Sequence, residues 1–315
     1  MLASMPHIVT LTFNPALDVS TTTPRVEPAH KLRCSAPVVH PGGGGINVAR
    51  VLHRLGADVR AVFTAGGPTG TALQALLHDE GVPIEVVPTA EDTRQSFAAL
   101  STDTGEEYRF VLPGPRLSDK EQQACMEACL RAQPSLLVAS GSLCPGMPTD
   151  TYAQLARQCL AHGIKLAVDT SGPALHEALK AGVHLIKPSL RELRELCGCA
   201  LPDQAAQLQA CRQLIADGQA QVIALSLGAE GAMLVSADGA WQAPALPVNV
   251  VSTIGAGDSF LAGLVHSLSQ GEALPQAFTL AVAASAAALS AQGTALCAPE
   301  VAQAWRDRVQ VHALG

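Results

Sequence analysis

Short apolar runs alternate with longer helix-period segments along most of the chain, and this alternation restricts the fold more than any single motif. Residues 7–13, 59–63, 135–139, 165–169, 184–187 and 221–227 read as strands. Apolar positions at helical spacing mark helices near 45–55, 69–80, 119–131, 149–161, 190–196 and 203–216. A strand that rejoins its sheet after a helix runs parallel to its predecessor, so the pattern predicts an α/β fold with a mostly parallel sheet covered by helices. Ligands of such sheets bind at the carboxyl ends of the strands. At 315 residues, 48% of them hydrophobic, the chain can bury the core of one large domain with a small appendage.

Two segments interrupt the alternation. Residues 19–39, rich in Thr and Pro, show no helical period, and residues 96–111 read as a hairpin turning at Thr102-Asp103-Thr104-Gly105. Both are extended insertions between strand–helix units, so they are expected to pair as a small sheet that acts as a lid. A small sheet exposes one apolar face and needs partners, which predicts a homodimer joined lid to lid.

Two glycine-rich turns carry the chemistry. Ser252-Thr253-Ile254-Gly255-Ala256-Gly257-Asp258 opens a long, almost uncharged helix. Its first amides and the positive end of its dipole can hold a phosphoryl group, and Asp258 is placed to serve as a general base beside that anion. An Asp in a helical first turn also caps, and that reading stands beside the catalytic one. Upstream, His40-Pro41-Gly42-Gly43-Gly44-Gly45-Ile46-Asn47 opens a second helix; its glycines permit close approach of a ligand or act as a hinge. Neither run is a Walker loop or a dinucleotide fingerprint, since neither has the required spacing.

Together these turns resemble the two signatures of the ribokinase-like (PfkB) family of sugar kinases. The resemblance extends through Thr10–Asp18, Lys31-Leu32-Arg33-Cys34, Thr93-Arg94-Gln95, Ser140-Gly141-Ser142-Leu143, Ile186-Lys187-Pro188 and Ser226-Leu227-Gly228. The four-glycine run with Lys31-Leu32-Arg33-Cys34 before it is most similar to the minor-type 6-phosphofructokinase branch. The resemblance implies a single kinase domain over residues 1–315, a three-layer α/β/α core with a β lid, and transfer of the ATP γ-phosphoryl to the C1 hydroxyl of fructose 6-phosphate. It assigns Asp258 as base and Gly255, Ala256 and Gly257 as amide donors to the transferred group. It places Asp18, Gly42, Gly43, Gly44, Asn47 and Ser142 around the sugar, with Lys31, Arg33 and Arg94 on its phosphate. Lys187, Ser189, Glu192, Ser226, Gly228 and Gly231 fall on the nucleotide side, with Glu192 near Mg2+ through water. ATP and Mg2+ are implied, and a monovalent cation such as K+ is compatible. Ser189 departs from the Asn that the family carries before Glu192. The neighbouring readings are a tagatose-6-phosphate kinase, a 1-phosphofructokinase, and a non-catalytic sugar-phosphate sensor that would have no use for Asp258.

Charge and composition narrow the partners. A net charge of −7 without clustered Lys and Arg argues against nucleic-acid binding. The uncharged stretch 273–299 is dominated by small and polar residues and reads as a packed helix, with no membrane partner expected. The N-terminus shows no basic stretch followed by an apolar core, which predicts a cytoplasmic protein. The nine cysteines, among them the Cys197-Gly198-Cys199 and Cys125/Cys129 pairs, are expected to be reduced thiols. The ten histidines, His40 included, read as surface or packing residues.

Overall fold

The computed structural model describes residues 8–291, 293 and 295–315. His7, the expected start of the first strand, and the N-terminal residues read for a signal peptide lie outside these. The first half of the chain contains β1 (Ile8–Thr12), β2 (Ala16–Thr23), β3 (Val38–Gly42), α1 (Gly44–Arg54), β4 (Val59–Ala65), α2 (Gly67–Asp79), β5 (Ile84–Pro88), β6 (Arg94–Ser101), β7 (Glu107–Val111) and α3 (Asp119–Arg131). It continues with β8 (Leu136–Ser140), α4 (Thr151–Ala161), β9 (Lys165–Asp169), α5 (Gly172–Ala181), β10 (Val183–Ile186), α6 (Leu190–Cys197), α7 (Gln204–Ala216) and β11 (Ala220–Ser226). The C-terminal part adds β12 (Ala232–Ser236), β13 (Gly239–Ala243), α8 (Ala256–Ser269), α9 (Leu274–Leu289), α10 (Pro299–Arg306) and β14 (His312–Leu314).

Ten strands form one sheet in the order β14-β13-β12-β11-β10-β9-β8-β1-β4-β5. From β11 to β5 every neighbouring pair is parallel, and β12, β13 and β14 close one edge antiparallel. The central strand β1 is buried along its whole length, as a strand covered on both faces must be. Side chains of α1, α2, α8 and α9 fill one layer with Leu52, Leu73, Phe260 and Phe278. Those of α3 to α7 fill the other with Met126, Tyr152, Leu175, Leu193 and Cys211. The mostly parallel, helix-covered sheet expected from the alternation is therefore present, in the three-layer α/β/α form that the family resemblance implies.

Strand order reverses at β1, whose successor in the sheet is β4 on one side and β8 on the other. The crevice outside the carboxyl ends at this reversal is where a doubly wound sheet binds its ligand. A second sheet, β3-β2-β6-β7, stands over that crevice. It contains the two predicted insertions, but β2 begins at Ala16 and residues 24–37 form an irregular connector. The β6–β7 hairpin is antiparallel as expected and turns through Gly105 at φ +71°. Among the described residues no helix is long and apolar enough to cross a membrane.

Candidate active site

Asp258 reaches the crevice because Gly255, at φ +73°, turns the chain into α8. The first helical bond runs from the Ser259 amide to the Gly255 carbonyl at 2.8 Å, so the amides of Ala256, Gly257 and Asp258 have no acceptor inside the helix. These amides form an anion cradle at the positive end of the helix dipole. Lys187, just past β10, lies beneath it: a Cβ on Gly257 would stand 3.2 Å from Lys187 Nζ. The Lys187 ammonium pairs with Asp169 at 3.2 Å. Burial alone would lower its pKa, but Asp169, Asp258 and Glu192 outweigh it and leave the pKa raised, so the lysine stays cationic.

The Asp258 carboxylate accepts a hydrogen bond from Asn47 Nδ2 at 2.8 Å. Burial, reinforced by the Asp169 carboxylate, pushes its pKa up to about 6, while the Asn47 bond and Lys187 restrain the rise. A carboxylate of that basicity is ionised at neutral pH and still able to take a proton from a hydroxyl. Across the crevice stands Asp18 on β2, whose carboxylate lies so close over Gly42 that a Cβ there would meet it at 2.1 Å. Burial raises the Asp18 pKa, opposed by Arg94, Arg109 and Arg50. Arg94 opens β6 and donates to the Asn14 carbonyl and the Leu112 carbonyl, each at 3.2 Å, while its buried Nε has no protein partner. A buried guanidinium N–H left unpaired at the cleft wall fits an anionic ligand.

The cleft is lined by Asp18, Gly43, Gly44, Asn47, Arg94, Ser142, Glu192, Gly255 and Asp258, all of them expected from sequence. A profile of the pfkB family of carbohydrate kinases matches residues 13–301. The chain belongs to the pfkB family. It is 46% identical over 294 residues, 93% of this chain and 86% of the relative, to an ATP-dependent 6-phosphofructokinase isozyme 2 of Mycobacterium tuberculosis. Phosphofructokinase-2 of Escherichia coli, solved with fructose 6-phosphate, superimposes with a TM-score of 0.92 at 38% identity, over 96% of this chain and 99% of that one. The same enzyme solved with potassium gives a TM-score of 0.93 at 40% identity, with the same coverage.

Other expected residues of this pfkB kinase lie beside the cleft. Lys31 and Arg33 sit exposed on the 24–37 connector and do not line the cleft of their own chain. Gly42 closes β3 beneath Asp18, Ala256 and Gly257 belong to the amide cradle, and Lys187 lies under it. Ser189 caps α6: its hydroxyl accepts the Glu192 amide at 3.3 Å, and Glu192 Oε2 accepts the Ser189 amide at 2.8 Å and its hydroxyl at 2.9 Å. The Ser189 side chain is thus engaged within the helix start. Ser226 ends β11 and directs its hydroxyl at the Pro188 carbonyl, 3.4 Å away. Gly228 and Gly231, at φ +61° and +102°, shape the turn that follows, and a Cβ on Gly231 would strike the Ala243 carbonyl at 2.1 Å.

Polar residues lining the cleft that were not singled out in the sequence include Ser96, Arg109, Asp169, Thr170 and Ser171. Asp169 had a signal, since an acidic residue ending a buried parallel strand points into the ligand crevice. Arg109 had none, because its direction depends on how the lid strands pair. Asn14, whose Nδ2 donates to Ser142 Oγ at 3.1 Å, fixes the loop that carries Ser142. The cysteines are free, as expected. No group of three His, Cys, Asp or Glu side chains suited to a metal occurs among the described residues.

Proposed function

We propose that the chain is an ATP-dependent 6-phosphofructokinase. The observation that carries this reading is the placement of Asp258 between an amide cradle on one side and the polar wall of Asp18, Asn47 and Arg94 on the other. In that geometry a sugar hydroxyl held against Asp18 and Asn47 loses its proton to Asp258 as its oxygen attacks the γ-phosphorus of ATP. The bond from that phosphorus to the β–γ bridging oxygen breaks, ADP leaves, and fructose 1,6-bisphosphate remains. The amides of Ala256, Gly257 and Asp258 and the Lys187 ammonium stabilise charge on the transferred group. The relatives named for phosphofructokinase activity support fructose 6-phosphate as acceptor, with Arg94 meeting its phosphate.

Ser226, Gly228, Gly231, Lys187, Ser189 and Glu192 sit at the ends of β10 and β11 and would flank the nucleotide. Mg2+, a hard cation that keeps several waters, would be held through water by Glu192 and would supply positive charge to the ATP phosphates. The potassium of the E. coli relative suggests K+ as a further cation here. The reading treats residues 1–315 as one kinase domain working in the cytoplasm, where ATP and hexose phosphates meet.

The same proposal includes a dimer through the small sheet. Strand register aligns Val39, Val19, Phe97 and Phe110 in one cross-strand row, on the face opposite Asp18, Ser96 and Arg109. Val39, Phe97 and Phe110 are 36%, 39% and 53% exposed, and a second copy would cover them. Lys31 and Arg33 reach a sugar phosphate only if the connector moves or a partner's connector lies across the cleft.

Initial rates with ATP on fructose 6-phosphate, fructose 1-phosphate, tagatose 6-phosphate and free fructose test the assignment. The expected outcome is the highest kcat/KM for fructose 6-phosphate. A higher value for fructose 1-phosphate or tagatose 6-phosphate would transfer the chain to that activity, and binding without turnover of any sugar would mark a sensor.

A further inference from the structure

Arg50 lies outside the cleft, 1% exposed, yet it is joined to the base through one intermediate side chain. It follows Asn47 by three residues on α1, which puts both on one face of the helix. Arg50 Nη1 donates to the Pro41 carbonyl at 3.0 Å and to Asn47 Oδ1 at 3.4 Å. Its Nε lies 3.0 Å from both Glu80 oxygens, and its Nη2 is 2.6 Å from Glu80 Oε1. Glu80, just past α2, also accepts Arg54 Nη2 at 3.1 Å. From the other end of the Asn47 amide, Nδ2 donates to Asp258 Oδ2. An unbroken line of contacts therefore runs Glu80–Arg50–Asn47–Asp258 across three helices.

An Asn side chain can turn its carbonyl and NH2 ends about with little change of shape, so something must choose the orientation. A guanidinium has donors only, and it tolerates the carbonyl end alone. With the amide reversed, Asn47 would offer its oxygen to the Asp258 carboxylate, and two acceptors can share that contact only if Asp258 holds a proton. We propose that Arg50, anchored by Glu80, is a positioning residue for phosphoryl transfer that locks the Asn47 amide with its NH2 toward Asp258. The lock holds the base ionised and aimed at the acceptor hydroxyl.

This inference rests on Asp258 being the base, and the test separates the two. Asp258 is faced by Asp169, Lys187 and Asp18 besides Asn47, and Arg50 is faced by Glu80, Arg54, Asp18 and His40. None of the others touches the Asn47 amide in the contacts above, so the relay has its own signature. In Arg50→Lys and in the charge-neutral double variant Arg50→Met/Glu80→Gln, the acid limb of kcat should move to higher pH by about 0.5–1 unit, the scale of one lost hydrogen bond to the ionised form. kcat should recover on the alkaline side, and KM for ATP and for sugar phosphate should stay within about twofold. In an Asn47→Ala background, Arg50→Lys should change kcat by less than about twofold, because the group it acts through is gone. Melting temperatures identify any variant that is merely unfolded, and Arg50→Lys, which keeps the charge, carries the test if the double variant does not fold. An unmoved acid limb, or equal effects of Arg50→Lys with and without Asn47, would overturn the lock. An Asp258→Asn enzyme that keeps the wild-type pH profile would remove the base assignment and the lock together.

Discussion

The Asp258 carboxylate illustrates how the surroundings of a side chain set both its chemistry and its toll on the fold. Burial beside Asp169 raises its pKa to about 6, so the folded chain binds that proton more tightly than the unfolded chain, where an aspartate titrates near 4. The protonated form is therefore the favoured one in the fold. Stability linked to this group is greatest below pH 4, falls as pH rises through 6, and stays lower above it. Asp258→Asn removes the ionisation and should raise Tm by about a few degrees at pH 8, the gain closing toward pH 4. The same variant should lose turnover by at least about a hundredfold while both substrates still bind. Retention of more than about a tenth of wild-type kcat would sink the base assignment. Arg94 offers a second measurement. Its Gln variant should raise KM for fructose 6-phosphate at least about tenfold, with a far smaller change for ATP, since a charge-assisted contact to the sugar phosphate is lost. Weakening of ATP alone would put Arg94 on the nucleotide side. Most of these residues were legible because glycine turns and charged residues at strand ends are local signals. The partners that tune them were not: Asp169 meets Lys187, and Asn47 meets Asp258, only once the sheet has brought distant segments together.

The glycine run before α1 shows where local reading reached its limit. The sequence left open a hinge or a ligand approach, but in the structure Gly42 ends β3, Gly43 takes φ +115°, and Gly44 and Gly45 begin α1. Each glycine is pressed against another element. A Cβ on Gly44 would lie 2.2 Å from Ser140 Oγ, and one on Gly45 would lie 2.5 Å from the Leu11 carbonyl oxygen. The run lets α1 sit directly on the carboxyl ends of β1 and β8, which delivers Asn47 to Asp258. Gly45→Ala should thus destabilise the chain by about 1–3 kcal/mol or more, because the atom it strikes is backbone of a buried strand. Gly56→Ala, at φ +81° in open space, should show only the strain of a left-handed residue, about 1–2 kcal/mol. Urea midpoints compare the two, and a smaller loss for Gly45→Ala would mean that α1 can shift off β1. The six expected strands and six expected helices of the alternation all form, with ends displaced by a few residues. Those that went unread have physical reasons. α5 opens on Gly172-Pro173, which reads as a turn although proline suits a first helical turn. β14 is three residues long and exists only because β13 offers its edge. β12 and β13 pair across the two-residue turn Ala237-Asp238, with Ser236 opposite Gly239, and the Asp238-Gly239 pair at its exit was a hairpin signal that was present.

At the scale of the whole molecule, the small sheet leaves one apolar row exposed on its outer face. Four strands give the small sheet two faces, and alternation along β2, β6 and β7 sends Asp18, Ser96 and Arg109 to the cleft and Val19, Phe97 and Phe110 to the other side. The Phe97 and Phe110 rings contact each other at 6.3 Å between centroids but leave much of their surface to solvent. A row of this kind on a four-stranded sheet stays dry only against another apolar surface, and a second copy of the same row is self-complementary about a two-fold axis. Because each strand that carries the outer row also carries or adjoins cleft residues, the proposed dimer contact and the proposed sugar site would share a backbone. Disturbing one should therefore disturb the other. Phe110→Asp puts a charge at the β7 end of the row without touching the cleft face. Sedimentation at micromolar concentration should show a dimer for the wild type and a monomer for this variant, with lower kcat/KM for fructose 6-phosphate. On adding that sugar phosphate to the wild type, amide exchange in β2, β6 and β7 should slow as the lid closes over it and excludes water. A monomeric wild type rejects the dimer, and unchanged exchange in all three strands rejects the closing lid.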